Sequence, residues 1–441
     1  MQQCKDKKFM KTRMSSLAIA LLGILFIILP EYFAFEIGTL PSFTASRIII
    51  LLIFLLVLLS KRPFILPINK CAKVLYFLLA VLIAVDISHV SVSSTYAIND
   101  AFSLIYDCLL LVILIVHFVR TEDEIDKLLS YIVKTSLVLS AFGVIEFLTG
   151  FNICSVLSTS SRDVLQATYE RLGMRRSASA FGHAVYYGVY CTSVIPFALY
   201  LFDKYKKRIY LVCVIANIVG VLVSGSRGQM LSGFVVLLLF YFTRRKKEKW
   251  KYTKYFLIIL GVFAFLCLIV PSLRIYISEN IKSIMANFGL QVMVSANFGG
   301  NTKGVSSRWI QLSGIRWLIM NGKFVLGYGP AAAYRGLVSY YWTTSGWHTI
   351  QSVDIGYVGW FLYYGIIGAI AEGFFYAFYL FDSIKRRKKN TSDLFNAFWL
   401  FFASYLLNLA TSTGVSKLLW VLVGLYISAC QIRNRSGGIT K

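Results

Sequence analysis

The chain has 441 residues, of which 57% are hydrophobic, 16% aromatic and only 15% charged, and its mean hydropathy is +0.68. Soluble domains carry about 25% charged residues, so this composition excludes an ordinary water-soluble globule and points to lipid. The formal net charge is +25, but the basic residues cluster between apolar runs, which is the signature of membrane topology and not of a nucleic-acid partner.

The first apolar run, residues 16–35, follows Lys5, Lys7, Lys8, Lys11 and Arg13. No small-residue cleavage site comes after it, so it reads as a retained first span with the N-terminus in the cytoplasm. Further spans are expected at 48–59, 74–90 and 101–119. The run Arg120–Lys127 is expected to start a short cytoplasmic helix, with span five at 135–148. A loop over 150–183 precedes span six at 185–202, which ends at the basic run Lys204–Arg208. Spans seven and eight, 209–223 and 229–242, flank a Ser-Gly-Ser-Arg-Gly hairpin at 224–228 and lead to the basic run Arg244–Lys249. Span nine is expected at 255–270, a large loop at 271–352, and span ten at 353–381 before Lys385–Lys389. Spans eleven and twelve fall at 394–409 and 417–429, and the tail holds Arg433, Arg435 and Lys441.

With about twelve spans every strong Lys/Arg cluster lies on one side, which puts both termini in the cytoplasm and both large loops outside. The expectation is one all-α, multi-pass membrane domain over residues 1–441, with a large extracytoplasmic loop containing amphipathic helices. The eight cysteines form no CxxC pair, so neither a disulfide framework nor a metal site is expected.

External loops should be poor in cations, yet Arg162, Arg171, Arg175, Arg176, Arg227, Arg274, Lys282, Lys303, Arg308, Arg316, Lys323 and Arg335 all fall there. Glu279 and Asp354 are the only carboxylates nearby in the long loop and its exit. A solvated surface accounts for Arg162, Arg274, Lys282 and Lys303. For the rest, arginines beside a bilayer suit an anionic substrate, because the guanidinium fork matches phosphate oxygens.

Arg227 is the sharpest case. Its flanking runs are about 15 residues, ~22 Å as helix, against a hydrocarbon core of ~30 Å. The hairpin therefore reads as lying below the outer surface in a protein-lined cavity, the other reading being an arginine that snorkels to lipid headgroups. There Ser226 is placed to cap span eight, whose free N–H groups and Arg227 together would make an anion site. Arg175 and Arg176 sit in Gly173-Met-Arg-Arg-Ser-Ala-Ser-Ala-Phe-Gly-His183, with one of the two expected to meet substrate. His183 reads equally as an interfacial side chain at a helix start or as a direct participant. Arg308 and Arg316 lie on an amphipathic segment in which Trp309, Leu312, Ile315 and Ile319 recur at helical spacing; taken alone it reads as an interfacial helix whose arginines meet lipid phosphates. His348 and Asp354 are the external groups there able to take a proton near neutral pH. Asp86, Asp107, Glu146 and Glu372, inside or at the ends of spans, read as buried hydrogen-bonding groups or cavity lining.

In these motifs the chain resembles the superfamily of bacterial O-antigen ligases and Wzy-type polysaccharide polymerases. The matching features are Arg175-Arg176 with Phe-Gly-His before a span, Ser-Gly-Ser-Arg-Gly between two spans, and Arg308 followed by Gly327-Tyr-Gly-Pro330. Asp354-Ile-Gly-Tyr entering a span with Gly365-Ile-Ile-Gly368 is the fourth. Together they cover roughly residues 150–375 in the family's order. The resemblance implies a GT-C-like membrane glycosyltransferase of the bacterial inner membrane, acting on undecaprenyl-pyrophosphate-linked glycans at the outer face. It implies an inverting, metal-independent transfer that needs no cofactor, and partners such as a chain-length regulator or other polysaccharide-assembly proteins. By motif, pyrophosphate binding passes to Arg227, Arg308 and one of Arg175 or Arg176, with Arg316 a further candidate. Ligases of this family carry His-Asn where this chain has Asp354-Ile, and Ala184 replaces a common proline. The base therefore stays open between His348 and Asp354, and the Asp form is the more polymerase-like. The alternatives are a ligase that moves finished glycan to another acceptor, and a transporter of lipid-linked sugar or polysaccharide.

Overall fold

A computed structural model describes residues 14–30, 32–35, 42–59, 66–92, 94–159, 170–171, 174–244, 310–330, 332–333, 335–342, 346–350, 352–389, 393–412 and 417–436, with short pieces between 249 and 282. Expected span nine lies largely outside the described residues, and Arg308 wholly so.

The chain is helical almost throughout, with only three short two-stranded pairings among the described residues. The helices are α1 (Met14–Ile28), α2 (Ala45–Leu59), α3 (Lys70–Ser88), α4 (Ser94–Phe118) and α5 (Glu122–Thr149). They continue with α6 (Ala184–Tyr205), α7 (Arg208–Val223), α8 (Arg227–Phe242), α9 (Ser313–Met320), α10 (Gly356–Lys389), α11 (Asp393–Leu409) and α12 (Lys417–Ser436). By length and apolarity α3, α4, α5, α6 and α10 can each cross a membrane, while α1, α2, α7 and α8 are apolar but shorter. An all-α membrane protein accounts for this pattern.

The element ends follow local chemistry. Asn69 caps α3 by accepting from the Ala72 amide at 2.8 Å. Thr121 and Glu124 form a reciprocal capping box at the start of α5, which satisfies two otherwise orphaned amides. That box explains one departure from the sequence reading. No separate cytoplasmic helix precedes span five; α5 runs unbroken for 28 residues, ~42 Å, until Gly150 ends it in a left-handed conformation at φ 76°. Helix α6 is apolar on all sides and 89% of its apolar window is buried, as expected of a helix at the centre of a bundle. It packs against α5, α7, α8 and α11.

The two ends of the bundle differ. At one end, ion pairs join Lys204 to Asp126, Arg244 to Asp203 and Asp393 (3.0 and 3.1 Å), Arg386 to Asp382 (2.7 Å) and Arg433 to Glu122 (3.3 Å). These come from the N-terminal ends of α5 and α11 and the C-terminal ends of α6, α8, α10 and α12, the ends that carry the basic clusters. Toward the other end, Arg47 at the start of α2 makes a bidentate pair with Asp107 of α4, at 2.7–3.2 Å, and bonds to Ser103 and the Ser42 carbonyl. Asp107 is thus a hydrogen-bonding group, as the sequence implied, but half-buried and not fully enclosed, with a partner 60 residues away.

Helix α10 is broken at Gly365, whose backbone stands at φ 64°, ψ −164°, a region open essentially only to glycine. The break would strand backbone groups away from water, and the 324–329 segment satisfies them. Tyr328 and Gly329 donate to the Leu362 and Tyr363 carbonyls at 2.9 and 3.0 Å, and Ile366 and Ile367 donate to Phe324 and Val325 at 2.8 and 3.4 Å. Two motifs separated by nearly forty residues of sequence, Gly327-Tyr-Gly and Gly365, are one backbone joint. His89 at the end of α3 reaches it through Nε2, 3.3 Å from the Gly327 carbonyl. Tyr364 donates to Asp100 of α4 at 2.6 Å. A small separate core, Leu318, Ala332, Ala333, Val338, Ile350, Val353, Val358 and Leu362, seats the long loop on the first half of α10.

Candidate functional site

The site grows from the end of α5. Glu146 is buried there and accepts from the amides of Ala178 and Ser179 at 3.0 and 2.8 Å. The Ser177 hydroxyl donates to the Gly143 carbonyl at 2.6 Å, the Ser177 amide to Val223 of α7 at 3.0 Å, and Asn152 Nδ2 to the Ser179 carbonyl at 2.9 Å. Ser179 takes φ 52°, a left-handed conformation that a side chain other than glycine adopts only when its surroundings fix it. Residues 176–179 are therefore stitched to α5 and α7 before any substrate is considered.

This platform separates the two adjacent arginines. Arg175, the last residue of the short strand Met174–Arg175, is exposed and lies over Gly150, where an added Cβ would strike its guanidinium. Arg176 turns inward to the α7–α8 hairpin. Its Nε donates to the Ser224 carbonyl at 2.9 Å and its Nη2 to Ser226 Oγ at 2.7 Å. Those two bonds fix the guanidinium against the turn.

The hairpin turns through Ser224 and Gly225 (φ 61°) and enters α8 at Arg227. Ser226 holds the N-cap position, but its side chain makes no cap hydrogen bond. The serine cap expected from the sequence does not form; the hydroxyl accepts from Arg176. The first amides of α8 are thus not closed by Ser226, and Arg227 stands half-buried at its first position. The hairpin is anchored on the end of α11: Gln229 Nε2 donates to Thr411 Oγ1 at 3.0 Å, and Gly228 lies so close to Thr411 that a Cβ would overlap it.

His183 is the N-cap of α6, its Nδ1 accepting from the Val185 amide at 3.1 Å. That bond requires an unprotonated Nδ1 and leaves the ring proton on Nε2. Burial and the Arg176 charge push its pKa down to about 4, against the opposing pull of Asp354. The imidazole is neutral at neutral pH. Asp354, just ahead of α10, is exposed and held at two points by the buried Gln311: its amide donates to Oε1 at 2.9 Å and its Oδ2 accepts from Nε2 at 3.4 Å. Arg176 and Asp354 thus both act electrostatically on His183, although the sequence places Asp354 171 positions beyond it.

The remaining candidates are placed differently. His348 is exposed on the hairpin formed by Ser339–Trp342 and Gly346–Thr349, its ring 6.0 Å from that of Tyr340. Arg316 is exposed on α9, whose buried face is Gly314 and Leu318, with Leu312, Ile319 and Met320 outward. Arg308 lies outside the described residues. Sequence reasoning did not single out Gln311, Gln229 or Thr411. All three are uncharged and meet their partners only through tertiary packing; the one available signal was their position within a few residues of Arg308, Arg227 and the end of a span.

No protein-family model matches the sequence, and no curated protein is detectably similar to it.

Proposed function

We propose that the chain is a GT-C-like glycosyltransferase of about twelve spans in the bacterial inner membrane, with both termini cytoplasmic, that joins undecaprenyl-pyrophosphate-linked repeat units into a surface polysaccharide. The observation that carries this reading is the seating of Arg176 on the Ser224–Ser226 turn. It sets a fixed guanidinium beside Arg227 and the start of α8, which the Ser226 side chain does not cap, with both Arg176 and Asp354 acting on His183. Helix-start amides and arginine forks together favour a pyrophosphate.

In the proposed reaction, a hydroxyl of one lipid-linked unit attacks the anomeric carbon of the other from the face opposite the pyrophosphate. The new glycosidic bond forms as the bond from that carbon to the pyrophosphate oxygen breaks, which inverts the centre. The charge on the leaving pyrophosphate falls to Arg176 and Arg227, with Arg308 and Arg316 as further contacts, and preorganised cations lower the barrier most where charge develops. Asp354 takes the hydroxyl proton or orients that group; His348 on its hairpin is the alternate acceptor. Arg175, over Gly150, is the lesser of the adjacent pair.

The break in α10 does not move the reading toward a transporter. Its freed backbone groups are met by the protein's own 324–329 segment, whereas the broken helices of transporters turn such groups toward substrate or ion.

The test is polymer formation by purified protein from a lipid-linked repeat unit. Arg176→Ala and Arg227→Ala should each lower the rate by about 10²–10³-fold, and Arg175→Ala by less than about tenfold. Wild-type protein that makes no new glycosidic bond, or Arg176 and Arg227 variants at full rate, would refute the proposal. Transfer of preformed long chains to a different acceptor, with no lengthening, would make it a ligase.

A further inference from the structure

At the basic end of the bundle, three helices bring together groups that no local sequence pattern pairs. Cys71 lies at the start of α3, Asp382 near the end of α10 and Cys430 near the end of α12. Cys71 Sγ stands 3.7 Å from Cys430 Sγ and 3.7 Å from Asp382 Oδ2, and one ligand atom from each of the three residues lies within 4.8 Å of the others.

These are close to the edge lengths of a tetrahedral metal site. Two thiolates each ~2.3 Å from zinc at the tetrahedral angle are ~3.8 Å apart, and a thiolate and a carboxylate oxygen at ~2.1 Å are ~3.6 Å apart. The outer partners fit as well. Arg386 Nε and the Tyr426 hydroxyl donate to Asp382 Oδ2 at 2.7 and 2.6 Å, and ligating carboxylates are held by such bonds. Two thiolates and one carboxylate carry three negative charges. A divalent cation with Arg386 neutralises all three, which a buried site requires. Cys71 and Cys430 are 1% and 0% exposed, while the Asp382 side chain keeps 18%, so the way in and the open fourth position lie on its side.

We propose that Cys71, Asp382 and Cys430 bind one thiophilic cation of the zinc class, clipping α3, α10 and α12 together at the end remote from the arginine site. Sulfur ligands select zinc or monovalent copper over magnesium or calcium. The proposal is independent of the glycosyltransferase reading.

The test uses the full chain purified in detergent without chelator. Elemental analysis should find one zinc per chain. After zinc removal, cobalt(II) titration should give a thiolate-to-metal charge-transfer band saturating at one equivalent. Cys71→Ser and Cys430→Ser should each abolish the band, Asp382→Asn should weaken binding by about tenfold or more, and Cys108→Ser, in α4, should leave it intact. Wild-type protein with reduced thiols that takes up no cobalt, uptake unchanged in Cys71→Ser and Cys430→Ser, or a Cys71–Cys430 disulfide would each overturn the proposal.

Discussion

Replacing Gly365 by alanine tests whether the break in α10 is a built joint or an incidental kink. At φ 64°, ψ −164° a side chain costs about 1–3 kcal/mol by itself. The added Cβ would also lie 2.6 Å from the Gly327 amide nitrogen and closer still to the Val325 carbonyl. Those are backbone atoms, so no rotamer change relieves the contact; the 324–329 segment must move away. That movement breaks some or all of the four backbone hydrogen bonds across the joint, each worth about 1 kcal/mol net in water and more away from it. The sum is on the order of 4–6 kcal/mol, a large part of the stability of most domains. Gly373 of the same helix is the control. Nothing lies within 4 Å of its added Cβ, and alanine is the better helix former by about 1 kcal/mol. Thermal unfolding in mild detergent should therefore drop sharply for Gly365→Ala and hold or rise for Gly373→Ala. Equal midpoints for the two variants would show that the joint contributes nothing.

Two further outcomes follow from buried groups. His183 has its folded pKa lowered to about 4 from an unfolded value near 6.5, so the unfolded chain binds the extra proton between those values. Its contribution is complete above pH ~6.5 and is lost as pH falls toward 4, a change on the order of 1–2 kcal/mol for a partly buried ring. His183→Asn keeps a capping side chain and should flatten that part of the stability–pH profile; an unchanged slope would exclude His183 as its source. Asp86 is fully buried and shares a side-chain hydrogen bond with the Asp100 carboxyl. Asp86→Asn replaces that bond with an N–H donor and should leave stability within about 1 kcal/mol of wild type in the same unfolding assay, whereas a loss of about 3 kcal/mol or more would mean that Asp86 carries a needed negative charge.

The helices were legible in the sequence because lipid imposes one rule on every span, about twenty apolar residues closed by polar ends. Spans six, seven, eight, eleven and twelve begin within one or two residues of α6, α7, α8, α11 and α12. The helix start in 120–127 was legible, but its charged residues set it apart from span five; the structure makes them the first turns of one helix, opened by the Thr121–Glu124 capping box. The site was legible only as motifs. That Gly327 and Gly365 lock together, or that Arg176 and not Arg175 faces the hairpin, depends on which backbone groups need partners after packing. No spacing along the chain encodes that need. The cysteines show the same limit: spacing excludes a local CxxC motif but says nothing of residues 359 positions apart.

The placement of Arg176 also bears on how the site can work. A flexible arginine would lose side-chain entropy on meeting a substrate, and that loss would weaken the contact. Here the backbone of 176–179 is held by Glu146, Ser177 and Asn152 against α5 and α7, and the guanidinium is held by Ser224 and Ser226. Both the cation and the start of α8 are therefore set by the same turn. Displacing Ser224–Ser226 would move the two together, so the turn acts as one unit and not as two independent contacts. An anion bound there would meet a geometry fixed by the fold, and buried contacts to α5 and α7 beside Arg176 supply that rigidity.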